Sequence, residues 1–187
     1  MAFDDFYRLT CPVMSLESSF HSFSGQVGRS PQAGVYNSGL LTTVDSKLGK
    51  SMLKDWHFLI TDRCHALMTT AFGNVFYWDA EEGICFLEVQ GLQVTAITRD
   101  LHVFLNEFLT DPKILESVLR KDDFEELASL KGPLSYNRSF FLVPWQMLGG
   151  IEKAENYDVG DCDVYLSLVG QALQAKGFTR EDLRRSP

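Results

Sequence analysis

The sequence predicts an α+β fold, in which an antiparallel β-sheet meander packs with several α-helices in a single compact body. Three observations support this prediction. The 187 residues are 45% hydrophobic and 12% aromatic, which is enough apolar side chain for one substantial core. Short β-prone runs follow one another between residues 65 and 97, separated by tight turns. From residue 101 onward, the apolar residues recur at helical spacing instead.

The first third is the least regular part of the sequence. Residues 15–50 are rich in Ser and Gly and contain repeated turn signals, such as Gly-Arg-Ser-Pro at 28–31 and Asn-Ser-Gly at 37–39. We expect loops and short strands here, packed by four apolar side chains: Phe20, Phe23, Val35 and Tyr36. We therefore divide the chain into an N-terminal part (1–63), an α+β domain packed against it (64–178), and a mobile tail (179–187).

The strands of the meander are predicted in the middle of the chain. One run of apolar or β-prone residues ends at Phe72, and another covers Val75 to Trp78, with the tight turn Gly-Asn between them. Two further runs cover 84–89 and 92–97, and are separated by a Gln-Gly pair. This succession predicts three or four antiparallel strands.

Four helices are predicted after the strands. The first follows Thr98 or Asp100, either of which can cap it, and its apolar residues are Leu101, Phe104, Leu105, Phe108 and Leu109. Pro112 opens the second helix, since proline is favoured in the first helical turn. The third starts after Asp122-Asp123, carries Phe124, Leu127 and Leu130, and ends at Gly132. The last follows Asp161 or Asp163 and ends before Gly177.

The charge of the chain favours a basic protein partner. The sequence has 25 acidic and 17 basic residues, a net charge of -8. A nucleic-acid-binding surface needs lysine and arginine to neutralise phosphates, so direct nucleic-acid binding is not expected. We find no signal-peptide pattern at the N-terminus and no run of about 18 apolar residues, so we expect a cytoplasmic protein without membrane contact.

No residue pattern in the sequence predicts catalysis or metal binding. Cys64 and His65 are adjacent, but neighbours on a strand point to opposite faces, which favours a structural role over a nucleophile and its base. The four histidines and four cysteines show no ligand spacing such as HxxxH or CxxC, so no metal and no disulfide is expected. The glycine pairs lack the context of a phosphate-binding loop, and no cofactor is expected.

Two separated segments carry a resemblance to a known family. The first is Phe-Gly-Asn-Val-Phe-Tyr-Trp-Asp at 72–79, and the second is Phe-Leu-Val-Pro-Trp-Gln-Met-Leu-Gly-Gly at 141–150. Over residues 64–175 the chain resembles the C-terminal domain of type VI secretion immunity proteins of the GAD-like family, with residues 1–63 as the GAD-like part. The residues that carry the motif are of core and turn types: Phe72, Gly73, Phe76, Trp78, Pro144, Gly149 and Gly150.

The resemblance implies a protein that is not an enzyme but inhibits one. Such an immunity protein binds and neutralises a cognate secreted DNase toxin, and an acidic surface suits the cationic groove in which a DNase holds DNA. Charge and turn placement suggest a contact set of nine residues: Asp79, Glu81, Glu82, Asp122, Asp123, Glu125, Asp158, Asp161 and Asp163. Family members often carry an acidic residue where this chain has Asn137-Arg138. The alternatives are a small regulatory binding module, or an enzyme using Cys64 or a carboxylate pair.

Overall fold

A computed structural model of the chain describes residues 2–14, 17–20 and 30–179. The predicted packing of Phe23 and the predicted tail beyond Thr179 lie outside these residues.

In the part of the chain that the structure describes, seven strands form one antiparallel sheet in which each strand pairs with its neighbours in sequence, and this confirms the predicted α+β meander. The strands are β1 (Leu9–Pro12), β2 (Gly34–Tyr36), β3 (Leu41–Thr43), β4 (His65–Thr70), β5 (Val75–Asp79), β6 (Gly83–Glu88) and β7 (Gln93–Thr98). The sheet is continuous across the predicted boundary at residue 64, since β3 pairs with β4 through Thr42 and Thr69. The N-terminal part therefore supplies three strands of the common sheet.

Within the described residues, six α-helices accompany the sheet. They are α1 (Phe3–Phe6), α2 (Ser46–Ser51), α3 (Leu101–Val103), α4 (Pro112–Ser117), α5 (Lys121–Lys131) and α6 (Cys162–Ala175). The α3 helix continues into a π-helical segment, Phe104–Phe108, where the sequence predicted an uninterrupted helix. Pro112 opens α4 and Gly132 ends α5, as predicted. No helix in the described ranges is long and apolar enough to cross a membrane.

Aspartates fix several helix starts. The carboxylate of Asp100 accepts hydrogen bonds from the N–H groups of His102 and Val103 at the start of α3. Asp45 and Asp111 cap α2 and α4 in the same way. These carboxylates satisfy N–H groups that have no partner within the helix. Helix α5 is different, because Arg120 precedes it in a left-handed conformation with φ 51°.

The central strands of the sheet are buried on both faces. Along β5, Phe76 packs with Phe104 and the helices that follow β7, whereas Tyr77 packs on the other side with α6. The indole N–H of Trp56 donates to the carbonyl of Leu166 at 3.0 Å and joins α6 to the segment after α2. Since neither face of the central strands meets water, both sets of alternating side chains are apolar. This explains the near-continuous apolar runs of β4 to β6.

A second, two-stranded sheet follows α5 in the chain. It consists of β8 (Arg138–Leu142) and β9 (Tyr157–Asp161), paired antiparallel with Phe140 opposite Val159. The N–H of Phe140 donates to the carbonyl of Ala71 at 2.7 Å. This pair, which the sequence did not predict, holds the second motif segment against the turn between β4 and β5.

Candidate functional site

The first motif segment packs against the β8–β9 pair, which flanks the second motif segment. The ring of Phe72, in the turn between β4 and β5, lies 6.5 Å from the ring of Phe140 on β8 and 5.9 Å from that of Tyr157 on β9. Gly73 adopts φ +76°, and a Cβ there would lie 2.9 Å from the ring of Tyr165. The aromatic rings therefore fill the space between the turn and the β8–β9 pair.

The other motif residues have different environments. Phe76 is fully buried, and Trp78 is partly buried against the same core, which agrees with the core role predicted for Trp78. Trp145 is also partly buried, with its ring edge-on to Tyr165 at 5.9 Å. Asn137 and Arg138, at the position where the family often has an acidic residue, instead bind acidic side chains of β9 and α6.

Residues 143–152, the first part of the segment between the two strands of the pair, are termed here the motif loop. It contains a cis peptide before Pro144 and a short 3₁₀ turn that ends at Gly149, with φ +87°. A Cβ on Gly150 would overlap with the carbonyl oxygen of Pro144, so the backbone can pass there only as glycine. Three apolar side chains of the loop are exposed: Val143 by 51%, Leu148 by 61% and Ile151 by 64%. The motif loop therefore offers apolar surface to solvent.

The side chain of Arg120 contacts the first motif segment, helix α5 and the motif loop. Its guanidinium lies 4.4 Å from the centroid of the Phe72 ring. Its Nε donates to Asp123 at 2.7 Å, and its Nη2 donates to Glu152 at 3.2 Å. Burial alone would lower the pKa of Arg120, but Asp123, Tyr157 and Glu152 raise it overall, so the guanidinium stays charged. One cation thus joins the first motif, the start of α5 and the end of the motif loop.

A cavity of about 130 Å³ lies beside this guanidinium and is termed the Arg120 cavity. Its lining includes Phe72, Phe86, Glu88, Gln90, Gln146 and Glu152. The Oε1 atom of Gln90 is buried and has no hydrogen-bond partner among the described residues. Within the same ranges Glu88 makes no ion pair. The walls therefore combine aromatic rings with acceptor groups that have spare capacity.

The structure separates the nine predicted contact residues into two groups. The first group, at the turn between β5 and β6, consists of Asp79, Glu81 and Glu82. Asp79 is only 4% exposed, and its carboxylate accepts hydrogen bonds from the Thr61 hydroxyl at 2.7 Å and from the N–H groups of Glu81 and Glu82. Its role is to hold this turn, so its carboxylate does not form part of an exposed acidic surface. Glu81 is exposed and paired with Arg63.

The second group gathers around α5 and β9. It consists of Asp122, Asp123, Glu125, Asp158, Asp161 and Asp163. Its two halves are neighbours because Phe124 of α5 packs against Phe140 of β8, with ring centroids 6.3 Å apart. Asp123 of this group binds Arg120. Glu81 and Glu82 lie beyond the far end of β5 and are not part of this acidic surface.

Basic or amide side chains partner four members of the second group. Asp123 binds Arg120, Glu125 binds Lys121, Asp161 binds Arg138, and Asp163 accepts a hydrogen bond from Asn137. Asp122 and Asp158 are exposed and form no ion pair within the described part of the chain. Asp122 and Asp158 are therefore the carboxylates most available to a partner.

The predicted alternative of a cysteine nucleophile depends on Cys64. Its thiol is buried, where it contacts Thr61 and donates to Asp79 at 3.3 Å. Burial raises the pKa of the Cys64 thiol to about 12, which keeps it protonated at neutral pH. Among the described residues there is no cluster of three His, Cys, Asp or Glu side chains that could hold a metal ion.

Comparison with known proteins adds information on the fold. No protein-family model matches the sequence, and no curated protein sequence matches it. The crystal structure of Atu4351 from Agrobacterium tumefaciens is similar to this chain, with a TM-score of 0.65 and 16% sequence identity. The similarity covers 90% of this chain and 87% of Atu4351. At this identity the likeness establishes a shared fold alone.

Sequence reasoning missed Arg120 and its cavity. The local sequence around Arg120 resembles any helix start with mixed charges, and no turn signal distinguishes it. The only available signal was indirect, since the cavity lies between the two segments that carry the family resemblance.

Proposed function

We propose that this chain is an immunity protein, which binds the cognate DNase toxin of a type VI secretion system and neutralises it. In this proposal the acidic surface of α5, β9 and the start of α6 covers the cationic groove in which the toxin holds DNA. The inhibitor then competes directly with the DNA phosphates.

The concentration of charge on one part of the molecule carries the proposal. Residues 111–163 contain 11 acidic and 6 basic residues and so account for -5 of the net charge of -8. The elements in that range pack together through α5 and the β8–β9 pair. A surface of this charge accelerates association with a cationic partner and disfavours neutral or acidic ones.

The apolar motif loop supplies the second requirement of a tight interface. Binding energy in protein complexes concentrates on a few side chains that lose water completely, while the charged rim steers the encounter. The exposed Leu148 and Ile151 lie just before Glu152, which binds the Arg120 guanidinium beside the acidic group. The exposed apolar side chains of the motif loop therefore lie beside acidic side chains.

The proposal is tested by co-expressing the full chain with the toxic domain encoded beside its gene. Purification through a tag on the toxin is expected to recover both proteins in equal amounts, and the complex is expected to leave plasmid DNA intact. The toxin released from the complex by denaturation and refolded alone is expected to cleave the same plasmid. Recovery of the toxin without this chain, with undiminished cleavage, would contradict the proposal.

Two matched triple variants then locate the surface. Asp122→Lys, Glu125→Lys and Asp158→Lys together are expected to weaken toxin binding at least about tenfold, mainly through slower association. Asp62→Lys, Glu81→Lys and Glu82→Lys make the same change in net charge near the turn between β5 and β6. An equal effect of both triples would mean that only net charge matters, and the proposed surface would be wrong.

A further inference from the structure

Negatively charged side chains predominate around the Arg120 cavity. Three carboxylates, Glu88, Glu152 and Asp123, line it or bind the single guanidinium of Arg120. The local charge is therefore negative even after Arg120 is counted. Of these carboxylates, Glu88 has no ion pair within the described residues, so it is the one with which an added cation could pair.

The polar atoms of the cavity wall also favour a cationic hydrogen-bond donor. The side chain of Gln90 hydrogen-bonds with Tyr165, but its buried Oε1 lacks a donor within the described residues, and Glu88 has no cationic partner there. The Oδ1 of Asn74 already accepts from the N–H of Val89 at 3.0 Å, and so holds this part of the wall in place. A buried acceptor without a donor costs free energy, which a donor-only group such as an ammonium or guanidinium would recover.

The remaining wall is aromatic. Phe72 and Phe86 both line the cavity, and cations bind favourably to the faces of such rings. Arg120 already uses this interaction on Phe72. The cavity volume of about 130 Å³ suits the end of one side chain rather than a large metabolite.

The residues around the cavity indicate that the cationic group belongs to a protein. Gln146 and Glu152 line the cavity, and the exposed Leu148 and Ile151 of the motif loop lie between them in sequence. Exposed apolar side chains beside a polar pocket are typical of protein-binding sites. A free amine or guanidine would leave those side chains without a function.

We propose that the Arg120 cavity is a socket for one lysine or arginine side chain of the protein partner. The inserted cation bridges Glu88 and Gln90, while the motif loop packs against apolar residues around it. This inference rests on the proposed function for the identity of the partner, but the chemistry of the socket can be tested without it.

The first experiment uses small probes on the free full-length chain. N-methylguanidinium and n-propylammonium stand for arginine and lysine, and N-methylurea is the neutral control of guanidinium shape. We expect one of the two cations to shift the side-chain amide signals of Gln90 and Asn74 in a saturable way in nuclear magnetic resonance spectra, with N-methylurea at least about tenfold weaker. Equal responses to the cation and to N-methylurea, or no saturable response, would overturn the socket.

The second experiment uses two glutamates at opposite ends of the same strand. Glu88→Gln keeps the shape of the side chain and removes the charge in the socket, and Glu82→Gln makes the same change just before β6 at its far end. Glu88→Gln is expected to weaken toxin binding at least about tenfold, and Glu82→Gln less than about threefold. Equal losses would contradict the socket, whereas failure of the unmodified chain to bind toxin would contradict the proposed function instead.

Discussion

The guanidinium of Arg120 lies 4.4 Å from the centroid of the Phe72 ring, across 48 residues of sequence. This contact ties the start of α5 to the turn between β4 and β5. It also holds the guanidinium beside the cavity that residues of both motif segments line. Stability and the shape of the candidate binding surface therefore depend on the same side chain.

Arg120 contributes contacts and also requires an unfavourable backbone conformation. Arg120→Ala is expected to lower the free energy of unfolding by about 1–3 kcal/mol, because the cation–π contact and two partly exposed ion pairs are lost, while the strain at positive φ is the same for both residues. Arg120→Gly loses the same contacts but accepts φ 51° freely, so it should be about 1 kcal/mol more stable than the alanine variant. Urea denaturation measures both; equal stability of the two variants would contradict the backbone contribution.

Gly73 is expected to tolerate no side chain. Gly73→Ala puts a methyl group 2.9 Å from the Tyr165 ring in addition to the strain of φ +76°, and should cost about 2–4 kcal/mol. Gly149→Ala is the control, since φ is +87° and ψ is 15° but nothing lies within 4 Å of the new Cβ, and a loss of about 1–2 kcal/mol is expected. Thermal and urea unfolding of both variants distinguish crowding from backbone strain. Crowding has no role at Gly73 if the two losses are the same.

In the folded protein, the thiol of Cys11 should react readily, and the thiols of the other three cysteines should not. Cys11 is exposed, whereas burial raises the pKa of Cys64 and of Cys162 to about 12 and that of Cys85 to about 11. Iodoacetamide at pH 8 should therefore add one group to the folded protein and four to the denatured one, as read by intact mass. The Cys11→Ser variant should add none when folded. Rapid labelling of Cys64 in the native protein would mean that its thiol is accessible and ionised.

The stability of the turn between β5 and β6 should depend on pH through Asp79. Burial alone would raise the pKa of its carboxyl, but hydrogen bonds from Thr61, Glu81, Glu82 and Cys64 lower it overall. A carboxyl with a lowered folded-state pKa stabilises the protein above its unfolded pKa of about 3.9, and this contribution is lost as pH falls through the folded value.

Asp79→Asn is therefore expected to cost about 1–3 kcal/mol at pH 7, and less as the pH falls below about 4. Urea titrations of both proteins between pH 3 and 7 measure the difference. Asp62→Asn removes the same charge from an exposed side chain nearby and should change stability little. A loss at Asp79 that does not change with pH would mean that the carboxylate form has no special role.

Much of the main sheet was predictable because its pairing is local. Each pair of strands from β4 to β7 is joined by a short turn with its own glycine signal, such as Gly73-Asn74, so adjacent runs could be assigned to one meander. The π-helical segment after α3 was not predictable, because Leu101, Phe104 and Phe108 have spacings that a regular helix also gives.

The β8–β9 pair and the Arg120 cavity escaped prediction for a different reason. Fourteen residues separate Leu142 from Tyr157, so no tight turn marks the pairing. The contact of Arg120 with Phe72 exists only after the chain has folded. Asp79 looked like the other acidic turn residues in sequence, and its burial results from the contact with Thr61.

The order of the strands and helices along the chain affects how the protein folds during translation. All seven strands of the main sheet precede residue 99, and each pairs with its neighbour, so the sheet can form while later residues are still being translated. The face that carries Tyr77 is covered by residues 52–60 and by α6, which is made only at residues 162–175. In the interval between, the part of this apolar face that α6 will cover stays exposed on the nascent chain, where a chaperone that recognises such surfaces can bind.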